Sequence, residues 1–520
     1  MVACAAVALA LILGIANAWH PAATVAARDS VTILGPSAAS LDPAVQSDAG
    51  SAQVVSQLFE SLTAVDASER VQPALASSWE TQNGGKRVVF HLRSGLSFSN
   101  GSPLTANDVV KSWMRVLAPA NPSQLASLLD DVAGARAYRE GSGSASSVGI
   151  TAPTSTDVQV ELTNPAADFP AVAASPTLAV VPPNLDTTPS LLSPRGFVGS
   201  GAYVLSGLTD TETTLTASLH YWAGKPAITT VHLLSSTGGK SPVDMFQAGD
   251  VQYTPISPGD ATWVAYDKSL GPSLRVEPSP SVEFYGFNTT AVPFNNVHAR
   301  RAFALGIDWR RIVALLSDPL TVAATGMVPD GVPGHSATDY GPKFDLAAAK
   351  SELADAGYPN GVGFPKITLV TGGRALDGAI VRQLHDNLGI TISYEALDFQ
   401  IYNELLLTDP PAFWEMDWVA DYPGANDFLG LLLGSGQTNN FGRWASSDFD
   451  AAVSKALSTT DTPAMQQAFD QAQAIVQDQA PVIPVDFGAG YALAAKGLLG
   501  ALPNSQGLVR YAGLAWAAGS

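Results

Sequence analysis

The chain has 520 residues, more than one hydrophobic core usually organises, so two or three domains are expected. Hydrophobic residues make up 46% and charged residues 14%, which is typical of a folded globular protein and argues against extensive disorder. The net charge is −19, with 46 acidic and 27 basic residues and no cluster of Lys and Arg, which argues against nucleic acid as a partner.

Cysteine and histidine usage argues against a metal centre. Cys4 is the only cysteine, so the chain has no intrachain disulfide and no cysteine-based metal site. The 7 histidines are scattered and lack the His-x-x-x-His spacing that places two ligands on one face of a helix. We therefore expect neither a bound metal nor a cofactor.

The N-terminal segment resembles an export signal. Residues 2–16 are apolar and uncharged, and Ala16-Asn17-Ala18 is a small-x-small pattern typical of a cleavage site. The run is shorter than the roughly 20 apolar residues of a spanning helix. No Lys or Arg precedes it, so either the start lies upstream or the segment is an uncleaved anchor. Cys4 lies at the start of the run rather than after it and is badly placed for lipid attachment. We expect residues 1–28 to be a signal or anchor segment and the protein to work outside the cytoplasmic membrane, in the periplasm or at the cell surface.

The segments that follow mix strand and helix patterns. Residues 31–34 predict a short strand, and the apolar spacing of residues 52–62 predicts a helix with one buried side. Residues 72–79 are predicted to form a helical turn ahead of a strand at residues 88–93.

Three local motifs predict helix ends. Thr105, with Asp108 three residues later, resembles a capping box that opens a helix. Asp308 precedes an apolar helical face and is interpreted as an N-cap. Gly357 is predicted to close the helix at residues 346–356.

Two further segments predict changes of chain direction. Gly199 and Gly201 are interpreted as a turn that needs positive φ. Residues 278–280, which begin and end with proline, precede a strand pattern at residues 282–287 and indicate a crossover between domains.

Residues 418–428 hold the most informative stretch. The apolar run from Trp418 to Ala420 reads as the end of a buried strand, and Asp421 follows it directly before a Tyr-Pro-Gly turn. A carboxylate fixed by a stiff turn beside large aromatic rings is suited to receive a ligand cation, because desolvation strengthens a charge pair. The alternative is that Asp421 only bonds backbone amides of the turn.

Enzymatic readings find little support in the sequence. The chain has no Gly-x-Ser-x-Gly elbow and no visible metal triad. Paired carboxylates for glycoside hydrolysis remain an alternative, since sequence separation does not reveal which carboxylates face each other. A surface adhesin or sensor that does not transport is a third class.

Short sequence blocks follow one another from residue 40 to residue 484: Ser40-Leu41-Asp42-Pro43, Gly199-Ser200-Gly201-Ala202-Tyr203, Gly286-Phe287-Asn288-Thr289, Pro293-Phe294-Asn295-Asn296, Ala356-Gly357-Tyr358-Pro359, the stretch at residues 418–428, and Ala480-Pro481-Val482-Ile483-Pro484. In this order they resemble the family 5 extracellular solute-binding proteins of ABC importers, the oligopeptide-, dipeptide- and nickel-binding class. The blocks are specific to the family and do not fix the ligand.

The resemblance implies an α/β, two-lobed periplasmic-binding-protein-like fold. Its first domain is split over residues 29–63, 188–283 and 488–520, its second domain is inserted at residues 64–187, and its hinged third domain spans residues 284–487. The protein is then a monomeric substrate-binding subunit without catalysis, which captures short peptides between the lobes and delivers them to a membrane permease and its cytoplasmic ATPase subunits. A nickel chelate, an oligosaccharide or, less in keeping with the family, hydrolysis are the alternatives.

The resemblance also implies a set of ligand-binding residues. Asp421 receives the α-ammonium of the ligand, the main chain at Val419 bonds the peptide backbone, and Trp418 walls the pocket. Tyr285 and Phe487 lie near the lobe crossovers and are expected to contact the ligand. Relatives commonly have Asp-Pro where this chain has Asn426-Asp427, which leaves ligand length and class open.

Overall fold

The computed structural model describes residues 28–46, 48–120, 123–183, 185, 193–315, 321–504 and 506–518. The predicted signal or anchor segment, residues 1–28, lies outside the described residues except for Arg28.

Strands and helices alternate along most of this chain. The strands are β1 (Ser30–Leu34), β2 (Thr63–Val65), β3 (Val71–Pro73), β4 (Ala76–Gln82), β5 (Arg87–Leu92), β6 (Ile150–Thr151), β7 (Asp157–Glu161), β8 (Tyr203–Leu208), β9 (Glu212–Ala217), β10 (Thr230–Leu234), β11 (Tyr253–Pro255), β12 (Leu274–Phe287), β13 (Val322–Ala323), β14 (Thr368–Thr371), β15 (Ser393–Ala396), β16 (Phe413–Val419), β17 (Val482–Ala494), β18 (Leu498–Leu499) and β19 (Ala515–Trp516). The helices are α1 (Ala49–Leu58), α2 (Ala106–Val116), α3 (Ala135–Arg139), α4 (Phe169–Val172), α5 (Pro242–Ala248), α6 (Pro258–Val264), α7 (Val297–Gly306), α8 (Trp309–Ala314), α9 (Leu346–Asp355), α10 (Asp377–Leu388), α11 (Phe399–Thr408), α12 (Ala425–Phe428), α13 (Gly430–Leu433), α14 (Ser447–Leu457) and α15 (Thr462–Gln479).

One large mixed sheet organises the fold. Among the described residues it has 11 strands in the spatial order β15-β14-β16-β12-β17-β11-β1-β10-β9-β8, with β13 paired to β17 outside this path. A separate sheet has the order β4-β5-β7-β6, and β2-β3 and β18-β19 form two-stranded ladders. The mixed α/β class expected from the sequence is confirmed.

Two long antiparallel strands connect the two ends of the large sheet. β12 pairs with β16 from Ser281 to Phe287 and with β17 from Leu274 to Gly286. The pairing of β12 with β17 shifts register between Pro278 and Val282. The segment predicted as a crossover is therefore a register shift inside a continuous strand, where two prolines that donate no ladder hydrogen bond are tolerated.

Side chains of the central strands point alternately to the two faces of the sheet, and a hydrophobic core lies on each face. Tyr285 and Phe413 are buried on the face covered by α7, α8, α9 and α10. Phe284 and Trp414 are buried on the opposite face, which α14 and α15 cover. Because successive side chains point to opposite faces, these strands are apolar on both faces, as a doubly covered sheet requires.

A third core lies around the four-stranded sheet and α2. The rings of Phe90, Trp113 and Phe169 pack edge-on or tilted, with centroids 6.0–6.4 Å apart. Tyr422, which comes from the distant stretch after β16, is buried in this same cluster. The stretch around Asp421 is thus packed against two parts of the chain at once.

Several local predictions are confirmed. Thr105 and Asp108 form the capping box of α2, and Asp308 caps α8 by accepting from the Arg311 N–H. Gly357 follows α9 with φ of 93°, a conformation that favours glycine.

Two local predictions are wrong. Residues 72–79 do not form a helical turn, because they lie in β3 and β4, and β4 pairs with β5 through Trp79 and Phe90. Gly199 and Gly201 do not have positive φ; they are needed because a Cβ at either would collide with the carbonyl oxygen of Leu58 or Gln57 at the end of α1. The helix predicted at residues 52–62 is α1, which starts at Ala49 where Asp48 accepts from the Ser51 N–H.

Candidate functional site

The end of β16 positions the candidate site. Val419 lies opposite Ser281 of β12, and the Ala420 N–H donates to the Pro280 carbonyl at 3.0 Å. The Trp418 side chain packs against the core, whereas Val419 is 52% exposed. The predicted strand end is confirmed, and it delivers the next residue, Asp421, to the surface of the core.

Asp427, and not Asp421, holds the turn together. One oxygen of the Asp427 carboxylate accepts from the Asp421 N–H at 2.9 Å and from the Trp418 indole N–H at 3.2 Å. Asp427 is fully buried, and its other oxygen has no hydrogen-bond partner among the described residues. Among the described residues no backbone N–H donates to the Asp421 carboxylate, and the turn bond that the alternative interpretation gave to Asp421 is made by Asp427, six residues later.

The Asp421 side chain is free to meet a ligand. No residue that the structure describes forms a hydrogen bond or an ion pair with the Asp421 carboxylate, and Gln506 bonds only its main-chain carbonyl, at 2.8 Å. Burial raises the pKa of Asp421 above its usual range. Burial, followed by the nearby Asp421 charge, raises the pKa of Asp427 well above its usual range. Two carboxyl groups thus share a poorly solvated site in which no described residue supplies a cation to offset them.

A cavity of about 190 Å³ opens in front of this turn. It is lined on one side by Val419, Ala420 and Asp421 and on the other by Gln46, Asp48, Ala52, Leu125, Leu128, Ser175, Pro176, Gln506 and Leu508. None of these lining residues is Lys, Arg or His. The Asp48 carboxylate is already engaged as the cap of α1, so Asp421 carries the one uncommitted charge of this described lining.

The structure brings three of the predicted site residues together and places two elsewhere. Trp418 and Val419 end β16 and Asp421 follows two residues later; Val419 and Asp421 line the cavity, whereas Trp418 is not in its lining. Tyr285 is fully buried in the core, where its hydroxyl donates to Asp377 at 2.9 Å, and it does not line the cavity. Phe487 is 5% exposed and packs in the core on the other face of the sheet. A ligand contact by Tyr285 or Phe487 remains a prediction that this cavity does not support.

Sequence reasoning missed the contacts that tie the turn to the neighbouring core. The Tyr422 hydroxyl donates to Asp168 at 2.7 Å and accepts from the Asn426 side chain at 2.9 Å. Burial raises the pKa of Asp168 to about 6. The departure of Asn426-Asp427 from the family pattern was the available signal, because both residues turn out to be structural partners of the turn.

Two features are absent from the described residues. They contain no group of three or more His, Cys, Asp or Glu side chains arranged to hold a metal ion. Nor does any helix among them combine the length and the apolar character needed to cross a membrane.

Comparison with known proteins connects this site to a family. The model of the bacterial extracellular solute-binding proteins, family 5 Middle, matches residues 70–440. The probable deoxycholate-binding periplasmic protein YgiS of Escherichia coli is 31% identical over 473 residues, covering 86% of this chain and 85% of the relative. The oligopeptide-binding protein OppA of Bacillus subtilis is 27% identical over 465 residues, with 86% and 85% covered.

Solved structures share the fold. The unliganded open form of the murein tripeptide-binding protein MppA overlays with a TM-score of 0.82 at 23% identity, covering 94% of this chain and 97% of the other. HbpA2 of Haemophilus parasuis overlays with a TM-score of 0.79 at 22% identity, covering 94% and 99%. The expected two-lobed α/β fold is confirmed. The extent of the family match and the identity to YgiS lead to one conclusion: this chain belongs to the family 5 bacterial extracellular solute-binding proteins and works outside the cytoplasmic membrane.

Proposed function

We propose that the chain captures short peptides for an ABC importer and that Asp421 receives the α-ammonium group of the peptide. The observation that carries this proposal is the uncommitted Asp421 carboxylate, which lies at a cavity whose described lining has no basic side chain. A desolvated carboxylate without an internal partner gains most from an incoming cation.

The free edge of β16 supports main-chain recognition of the peptide. Main-chain groups alternate in direction along a strand, and the Ala420 N–H points to β12. The N–H and C=O groups of Val419 and Asp417 therefore point to the opposite edge. β14 pairs with that edge only at Phe413 and Trp414. A peptide can add there as a further strand, which bonds any sequence through its backbone.

The negative charge of the site argues against deoxycholate, the ligand named for the relative YgiS, as the ligand of this chain. Deoxycholate, named for YgiS, is a carboxylate at neutral pH, and its charge would face Asp421 without a compensating cation in the described lining. A peptide presents an ammonium group at its start and satisfies this carboxylate. The site therefore favours a cationic ligand end over an anionic one.

We extend the proposal to lobe closure and delivery. β12 and β17 are the long strands that run through the large sheet, and hinge bending at the register shift in β12 would let the predicted domain at residues 284–487 close on the remainder. The closed complex would then present its peptide to a membrane permease and its ATPase subunits.

Native mass spectrometry with a defined pool of di- to pentapeptides tests the proposed function. We expect the purified protein to retain peptides from the pool, and Asp421→Asn to retain far fewer. Retention of deoxycholate or a nickel chelate with no peptide retained would contradict the proposal and keep only the solute-binding family.

A further inference from the structure

Four acidic side chains lie together on the sheet face that leads to the cavity. In the strand register, Glu283 of β12 lies opposite Asp417 of β16 and next to Asp486 of β17. Glu415 precedes Asp417 by two residues and shares its face. Glu283, Glu415 and Asp486 are 2%, 4% and 6% exposed, and Asp417 is exposed. We call these four residues the acidic row.

One guanidinium pairs with the acidic row. Arg374, which follows β14, forms an ion pair with Glu283, and its Nε lies 3.9 Å from a Glu415 oxygen. Glu415 also accepts from the Gly372 N–H at 3.3 Å. The second oxygen of Glu283 is buried and has no hydrogen-bond partner among the described residues. Glu283 is therefore satisfied at one oxygen only, which is costly in a core unless a further cation or donor approaches.

The acidic row adjoins the path of the ligand. Asp417 and Val419 share one face of β16, and Val419 lines the cavity. Two residues of a strand span about 7 Å. A peptide that places its ammonium group at Asp421 and its backbone along the free edge of β16 therefore brings its second or third side chain over Asp417 and Glu283.

We propose that the acidic row is a specificity subsite for a cationic side chain, so that the preferred ligands are short peptides with Lys or Arg at the second or third residue. This inference rests on the proposed peptide function and deepens it. The exposed Asp417 would meet the cationic head, and Glu283 behind it would supply the buried oxygen that lacks a partner.

Calorimetric titration with Ala-Ala-Ala, Ala-Lys-Ala, Ala-Ala-Lys, Ala-Glu-Ala and Ala-Ala-Glu tests the subsite. We expect at least one lysine peptide to bind about tenfold or more tighter than Ala-Ala-Ala, and both glutamate peptides to bind more weakly than Ala-Ala-Ala. Asp417→Asn, which keeps the main-chain groups of residue 417, should remove most of the lysine preference, so that the affinities for the lysine peptides and for Ala-Ala-Ala become similar.

The controls separate failure of the subsite from failure of the peptide function. Asp417 is exposed, so its substitution should not impair folding, whereas Glu283→Gln changes a buried group and serves as the second variant. Asp355→Asn, at the exposed end of α9, removes an equal charge far along the chain and should keep the preference. Equal affinity for lysine, alanine and glutamate peptides, or a lysine preference that survives Asp417→Asn and Glu283→Gln, would overturn the subsite. Absence of binding by every peptide would overturn the proposed function itself.

Discussion

Two buried carboxylate sites in this protein differ in how their charge is compensated. Glu60 is 5% exposed and is bonded by Arg510 at 2.7 Å and by the Tyr221 hydroxyl at 2.9 Å. Asp427 is fully buried and Asp421 is half-buried at the cavity, yet no described cation pairs with either.

The difference lies in whether the chain itself supplies a partner for the buried carboxylate. A buried carboxylate completed by the chain itself, such as Glu60, has its desolvation offset before any ligand arrives. Asp421 has no such partner among the described residues, and under our proposal a cation from solution takes that place. The same contrast distinguishes Asp48, which is committed to capping α1, from Asp421 across the cavity.

The largest expected effect is the loss of ligand affinity when the Asp421 charge is removed. Asp421→Asn should weaken binding of a free-amine peptide by about 3–5 kcal/mol, because it leaves the ligand ammonium desolvated without its counter-charge. Stability should not fall, since the substitution removes a buried charge. Isothermal titration together with urea unfolding checks both results, with Asp355→Asn as the matched control. Unchanged affinity would remove Asp421 from the site.

A second variant tests the Glu60 site, where Arg510 compensates the buried charge. Arg510→Met should lower the free energy of unfolding by about 2–4 kcal/mol, because it leaves Glu60 buried with a hydroxyl donor only. Peptide affinity should change little. Urea unfolding measures the loss. An unchanged free energy of unfolding would show that Arg510 does not offset the burial of the Glu60 charge.

The pH dependence of stability tests the contact that joins the turn to the neighbouring core. Burial raises the pKa of Asp168 from 3.8 to about 6, so the folded state keeps a proton that the unfolded state loses. Wild-type stability should therefore fall as pH rises from about 4 to about 6 and level off above that. Asp168→Asn, which still accepts from Tyr422, should remove this fall and be more stable by up to about 2–3 kcal/mol at pH 7. Parallel unfolding curves for the two proteins across this window would contradict the assignment.

The smallest expected effect concerns the carboxyl pair itself. Asp427→Asn keeps an oxygen for the N–H groups of Asp421 and Trp418 and removes a neighbouring charge. Affinity at pH 8 should be nearly unchanged, and the pH at which binding is half lost should also stay nearly the same, because burial of Asp421 itself raises its pKa. Titrations between pH 4 and pH 8 measure this midpoint, and a clear downward shift would show that the Asp427 charge also raises the pKa of Asp421.

Sequence alone predicted features whose physics is local. The capping box at Thr105 and Asp108 and the glycine after α9 each depend on a few neighbouring residues. Asp421 could be singled out because an apolar run followed by a Tyr-Pro-Gly turn leaves a carboxylate at a strand end. The family and the fold class followed from ordered blocks along the chain.

The remaining features depend on register and on contacts distant in sequence. Residues 72–79 lie in strands because β3 pairs with β2 and β4 pairs with β5, and this pairing overrides the local pattern. Asp417, Glu283 and Asp486 are neighbours only through the register of three strands. The burial of Tyr285 likewise depends on helices that cover its face of the sheet, which its own neighbours in sequence do not reveal.

The central claim is that Asp421 receives the ammonium group of a peptide, and one pair of titrations tests it most directly. The tightest-binding peptide of the pool would be compared with its N-acetylated form, each titrated into the wild-type protein and into Asp421→Asn. We predict that acetylation weakens binding to the wild type by two or more orders of magnitude, equivalent to about 3 kcal/mol or more, and has little further effect in the variant. Equal binding of the acetylated and free peptides to the wild type would contradict the claim.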